Sequence, residues 1–333
     1  MARERLKSKV GAYFEEELPS NSWTTGCELF DCVLGRGYRS GRMVNIVGDF
    51  STGKTLLAIE ACANFAHLFP KGEIRYREVE SAFDRSYAAM IGLPVDRVDF
   101  PDTECETVEQ LFDDLNSFIT KLNGRPGFYV LDSLDALSDK DEMAREFGKA
   151  TYGQGKAKDL SKLFRMLIRK LERSQVTVMI ISQVRDNIGV TYGRKKKRSG
   201  GRALDFYASH VVWLSQKLKI MKTVQGVKRP VGIVIRAQCD KNKVAPPFRE
   251  CEFPIIFGYG IDDVAAGVEW LKSVKMLSEL ELTKKTMAKY IARVRRLPPA
   301  EHAVERERVA KAVRKVWDII ENRFAPTRSK YGG

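Results

Sequence analysis

Residues 43–65 read MVNIVGDFSTGKTLLAIEACANF. Met43 to Val47 is an apolar run of strand length, and Lys54 to Phe69 spaces its apolar residues as a helix does. The connection Gly48-Asp49-Phe50-Ser51-Thr52-Gly53-Lys54-Thr55 fits the pattern G-x-x-x-x-G-K-[ST]. A strand before it and a helix after it supply the context that gives this pattern meaning. The glycines let successive backbone N–H groups curl round a phosphate at a helix N-terminus. Lys54 then reaches the β and γ oxygens, and Thr55 is placed to ligate magnesium. All eight residues are candidates to line a nucleotide site, with ATP and Mg2+ as the expected cofactors.

Outward from this loop, apolar strands alternate with amphipathic helices, which predicts an α/β fold around a mostly parallel sheet covered on both faces. The strands expected are Met43 to Val47, Ile74 to Glu78, Val98 to Phe100, Phe128 to Asp132, Val176 to Ser182 and Ser209 to Leu214. Helices are expected at Lys54 to Phe69, Arg85 to Ile91, Val108 to Leu122 and Leu160 to Glu172. Gly232 to Ala237 and Cys251 to Ile256 extend the sheet with antiparallel strands. Phe128-Tyr129-Val130-Leu131-Asp132 is an apolar strand ending in a carboxylate, the form expected of a second magnesium element in which Asp132 holds a water of the metal shell. Hydrolysis also needs a group that orients or deprotonates water. Glu80, just beyond IRYREV, is the best-placed carboxylate, with Glu73 and Glu78 as alternatives. Gln183, ending the strand VTVMIIS, is placed either to sense the γ-phosphate or to serve as an ordinary polar strand cap.

The 333 residues are 44% hydrophobic and 30% charged, which excludes a collagen-like or low-complexity chain. No window is long and uncharged enough to span a membrane, and the first residues lack the apolar run of a secretory signal. A cytoplasmic location follows, in the bacterial host if the chain is phage-encoded. Six scattered cysteines and three histidines argue against zinc or a disulfide scaffold and predict small, reduced core residues. The net charge of +14 makes polyanions the leading partner class. The excess is uneven: from Leu271 onward 16 basic residues face 7 acidic ones, and Arg194 to Arg198 reads RKKKR.

Together with the phosphate loop, four blocks in order resemble the bacterial and phage RecA recombinase family over about Trp23 to Leu280. They are WTTGCELFDCVLG, VESAFDRSYAAMIGL, SQVRDNIGVTYG with SGGRALDFYAS, and DKNKVAPPFRECEF. The resemblance implies a RecA-like P-loop ATPase that forms filaments on single-stranded DNA and pairs it with homologous double-stranded DNA. It implies that Glu80 is the catalytic glutamate, that Asp84 and Tyr87 contact the adenine, that Phe257 belongs to the cofactor-binding residues, and that Gln183 links the γ-phosphate to the DNA loops. Lys241 and Lys243 resemble the pair that reaches the ATP of an adjacent subunit, so the site would be complete only on self-association.

By the same resemblance Val184 to Gly201 is the second DNA-binding loop, with Arg185, Ile188, Tyr192 and the adjoining Arg202 at the strand. RKKKR independently suits phosphate neutralisation by Arg194, Lys195, Lys196, Lys197 and Arg198, and Tyr192 offers a stacking face. A localisation signal is the rival reading of RKKKR. Met143 to Gly155 falls where the first DNA loop belongs, with Lys158 and Arg165 as further phosphate contacts and Phe206 joining the second loop to the core. The family's second loop is usually rich in Thr and Pro, and its C-terminal tail is commonly acidic; this chain is basic in both places. The expected organisation is an N-terminal oligomerisation segment at 1–22 with Tyr13 and Phe14 as anchors, a RecA-like core with DNA loops at 23–262, a small basic helical domain at 263–324, and a disordered tail at 325–333. A ring-forming DNA motor or helicase on the same core, and a non-catalytic DNA-binding accessory protein, are the competing functions.

Overall fold

Phe128, Val130, Met179 and Ile181 are buried against one set of helices, while Tyr129, Leu131, Val178 and Ile180 are buried against another. Successive strand residues point to opposite faces, so an unbroken apolar run is what a strand covered on both sides requires. The computed structural model describes residues 21–79, 83–103, 105–138, 154–186, 196–198, 203–328 and 330.

The main sheet contains β3 (Met43–Gly48), β4 (Glu73–Glu78), β5 (Val98–Asp99), β6 (Gly127–Asp132), β7 (Val176–Asp186), β8 (Lys196–Arg198), β9 (His210–Val224), β10 (Val227–Asn242), β11 (Arg249–Ile256) and β12 (Gly260–Ile261). Its order is β12-β11-β10-β9-β3-β7-β6-β4-β5, with β8 paired to β7 outside that path. From β9 to β5 the neighbours run parallel; from β9 to β12 they run antiparallel. A two-stranded ribbon of β1 (Ser22–Trp23) and β2 (Tyr38–Arg39) stands apart.

One face carries α1 (Glu28–Leu34) and α2 (Lys54–Leu68); the other carries α4 (Val108–Leu122), α5 (Gln154–Glu172) and the short α6 (Ala203–Tyr207). The remaining core helix, α3 (Arg85–Ile91), follows β4. Thr107 and Gln110 form a reciprocal capping box at the start of α4, satisfying donors the first turn leaves open. After the sheet come α7 (Asp263–Ser273), α8 (Met287–Val294) and α9 (Pro299–Phe324). Val264, Leu271, Met287, Val309, Val313 and Val316 belong to the same apolar cluster as Phe30, Phe65 and Phe253, so these helices extend the core laid down by α1 and α2.

Two elements differ from the sequence-based expectation. The strand expected to end at Ser182 continues to Asp186, where Val184, Arg185 and Asp186 pair with Arg198, Lys197 and Lys196. The basic stretch expected to lie wholly in a loop thus contributes strand β8. The strands expected at Ser209 to Leu214 and Gly232 to Ala237 are parts of a hairpin of 15 and 16 residues. It closes at Gln225 and Gly226, both at positive φ, the geometry that matches the twist of a two-residue hairpin. All six cysteines are reduced and buried, as their apolar surroundings predict.

Candidate functional site

β3 ends at Gly48, where an added Cβ would lie 2.4 Å from Thr52 Oγ1, so any side chain there would fill the turn. Ser51 and Gly53 adopt φ of 55° and 79°, curling the backbone before α2 begins. Thr52 Oγ1 donates to the Asp49 carbonyl at 2.8 Å, and Lys54 Nζ donates to the same oxygen at 2.7 Å. Gly53 places no side-chain cap on the first turn of α2. Backbone N–H groups at such a start favour an anion. Phe50 is 85% exposed at the loop's tip.

Across the sheet, β6 delivers Asp132 to the same end. Thr55 Oγ1 donates to Asp132 Oδ2 at 2.8 Å, and Tyr76 Oη donates to that oxygen at the same distance. Burial, reinforced by Asp132, raises the Tyr76 phenol well above its usual range, so the hydroxyl keeps its proton. Tyr76 is a site neighbour that the sequence analysis missed; alternation along β4, which puts it two residues before Glu78, was the available signal. A hydroxyl oxygen and a carboxylate oxygen form a hard donor pair of the kind Mg2+ takes, together with phosphate and water.

Glu78 is the cross-strand neighbour of Asp132, and Val79 N–H donates to the Asp132 carbonyl at 2.8 Å. Glu80 lies outside the described residues. Glu73 begins β4, a strand's length of about 16 Å from this end, and pairs with Lys121 and Arg125, which hold its carboxyl below the usual range. Glu73 is therefore not brought to the site. Gln183 is the register partner of Gly48, and its backbone N–H donates to Asp135 Oδ2 at 2.6 Å.

Asp84 caps α3: its Oδ1 accepts from Ser86 N–H at 2.8 Å and Tyr87 N–H at 3.0 Å. Tyr87 is half-buried, and Phe257, at the end of β11, is 51% exposed. Lys241 and Lys243 close β10 beside α6, with both ammonium groups on the Phe206 carbonyl, at 3.0 and 2.9 Å. The Phe206 ring is itself 67% exposed.

Lys158 and Arg165 are exposed on α5. Lys162 and Arg169 are exposed at the intervening helical spacings, and this stripe was legible from its i, i+4, i+7 pattern but went unread. Arg185, Lys196, Lys197 and Arg198 occupy positions in the β7–β8 pair. Ile188, Tyr192, Arg194, Lys195 and Arg202 lie outside the described residues, as do Tyr13, Phe14 and most of the expected first DNA loop. The β9–β10 hairpin adds exposed Lys217, Lys219, Lys222, Lys228 and Arg229, a run without an acidic residue that the composition alone did not locate.

The family model for the RecA N-terminal domain matches residues 9–262. This chain belongs to the RecA family. Similar proteins include the RecA of Synechococcus sp. (strain CC9902), 35% identical over 246 residues that make up 72% of this chain and 61% of that protein. The RecA of Prochlorococcus marinus (strain MIT 9211) is 35% identical over 246 residues, covering 72% and 63%. That of Parasynechococcus marenigrum (strain WH8102) is 36% identical over 243 residues, covering 72% and 60%. The chain thus spans about three fifths of the length of the curated RecA relatives it matches. The RecA-family match ends at Asp262, so α7, α8 and α9 follow the matched segment.

Proposed function

We propose that this chain is an ATP-hydrolysing recombinase that assembles on single-stranded DNA and pairs it with homologous duplex. The observation that carries this reading is the meeting of Thr55 and Asp132, 2.8 Å apart, beside the phosphate loop of a RecA-family core. Lys54 is within reach of the loop's interior, where it offsets charge on the β and γ phosphates. Thr55 and Asp132 would hold Mg2+, which when bound would supply positive charge to offset that of the phosphates. Glu80, two residues after Glu78 in sequence, orients the attacking water. Asp84, Tyr87 and Phe257 flank the base.

Gln183 abuts Gly48 on one side and leads into the β7–β8 pair on the other, a short route between phosphate and DNA loop. Lys241 and Lys243 act on the nucleotide of a neighbouring copy, next to an exposed Phe206 that a second copy would cover. Lys158 and Arg165 on α5, the basic β8 segment and the hairpin lysines give the cationic surface that a phosphate backbone requires. A protein with this substrate works where the DNA is, in the cytoplasm. Among the described residues no helix is long and apolar enough to cross a membrane.

Electron microscopy of the chain with single-stranded DNA and a non-hydrolysable ATP analogue tests the proposal. Helical filaments are expected. Closed rings would replace it with the ring-forming motor, and DNA binding indifferent to nucleotide would replace it with the accessory protein.

A further inference from the structure

Phe257, Gly258, Tyr259 and Gly260 join β11 to β12, with both glycines at positive φ. The loop lies against α3: a Cβ built on Gly258 would sit 3.1 Å from Met90 Sδ, and Met90, like Phe257, is largely exposed. Two apolar side chains thus stand uncovered, one on α3, the helix that Asp84 caps, and one in the loop, whose two ends are tied down.

The far end is held by Glu60, on the same helix as Lys54. Its Oε1 accepts from Ile261 N–H at 2.7 Å, and Gly260 lies so close that a Cβ would come within 1.9 Å of that oxygen. The near end is held from outside the family-matched segment. Tyr259 Oη and His302 Nε2 form a hydrogen bond of 3.2 Å, and His302 stands in the first turn of α9. One turn on, Arg306 pairs with Asp263 and donates to the Gly26 carbonyl at 2.6 Å, which fixes the helix that presents the imidazole.

We propose that His302 is a positioning residue for the nucleotide base: through Tyr259 it holds Phe257 against the Met90 side of the site and so sets affinity for base-bearing nucleotides. The proposal rests on the reading that the phosphate loop binds ATP with its base beside Phe257. A planar, apolar-faced ring gains most from a stacking partner already held in place, because less side-chain and loop freedom is lost on binding.

Equilibrium titrations of the full chain with ATP and with inorganic tripolyphosphate test it. His302→Ala and Tyr259→Phe should each weaken ATP binding about two- to tenfold, the range for one lost hydrogen bond. Tripolyphosphate, which has no base, should bind both variants as it binds the parent, and that result also reports that they are folded. The double variant should bind ATP no more weakly than the weaker single one. Unchanged ATP affinity in both variants, additive losses, or a parallel loss of tripolyphosphate binding would each overturn the proposal. A parent chain that binds ATP no better than tripolyphosphate would overturn the base-site reading beneath it.

Discussion

At the residue scale, three oxygens meet at one point: Thr55 and Tyr76 both donate to Asp132 Oδ2. Lys54→Ala removes the loop's cation, the residue before Thr55, so we expect nucleotide binding to be lost while the fold persists. Parental ATP turnover in that variant, measured by phosphate release, would sink the assignment. Two buried acids outside the Thr55–Tyr76–Asp132 cluster govern a pH response. Burial raises Asp31 to about 7 against hydrogen bonds from Thr24 and Thr25, and raises Glu60 to about 7 against the Ile261 N–H. Between roughly pH 4 and 7 the folded chain therefore binds protons that the unfolded chain has released, and stability from these groups falls as pH rises. Asp31→Asn and Glu60→Gln should each flatten that fall, by at most about 1.4 kcal/mol per pH unit. Denaturation midpoints at several pH values measure the slope, and parental slopes in both variants would mean that neither carboxyl is held protonated.

At the element scale, the basic segment of β8 and the approach to it make a prediction about charge. Neutralising Arg194, Lys195, Lys196, Lys197 and Arg198 should weaken DNA binding at every sequence and reduce the salt slope on single strands by up to about 3.5 log units per log salt. Binding titrations across a salt series decide it; an unaltered slope would favour a solvated or localisation segment. Packing of α7 on α9 gives another expectation. A Cβ on Gly267 would lie 2.5 Å from Val309 Cγ1 and 3.0 Å from Val313 Cγ2. Gly267→Ala should destabilise the chain by up to about 2 kcal/mol, the roughly 1–3 kcal/mol cost of overpacking less the roughly 1 kcal/mol that alanine gains over glycine in a helix. Chemical denaturation of the variant checks the sign. The phosphate loop and the parallel strands were legible in the sequence because their signals are local: glycine spacing in one case, short apolar runs in the other. The hairpin's length was not, since Ser215 to Val224 is largely exposed on both faces and its short alternation at Lys217 to Ile220 marks no buried face. Tyr76 was missed because a tyrosine in an apolar strand looks like core until its hydroxyl is traced to Asp132.

At the scale of the whole molecule, Lys241 and Lys243 rest on the Phe206 carbonyl of their own chain, at one rim of the sheet. Replacing both by Ala should leave a folded chain that binds nucleotide yet lacks DNA-stimulated hydrolysis, because on the proposed reading they would act on a neighbour's ATP. Mixing this variant with Glu80→Gln should restore part of the activity; no recovery in co-assembled mixtures would count against action in trans. The C-terminal helix binds the rest of the molecule by Arg36 to Asp318 at 2.7 Å, Arg314 to Glu28 at 2.6 Å and Arg249 to Glu321 at 3.0 Å. On the same helix, Val309, Val313 and Val316 are buried. A chain cut after Asp262, where the family match stops, would strip Glu28, Arg36 and Arg249 of those partners and bare the apolar surface beneath. The segment that sequence comparison delimits thus relies on residues 263–324 to cover its core, and expressed by itself it should be recovered as aggregate.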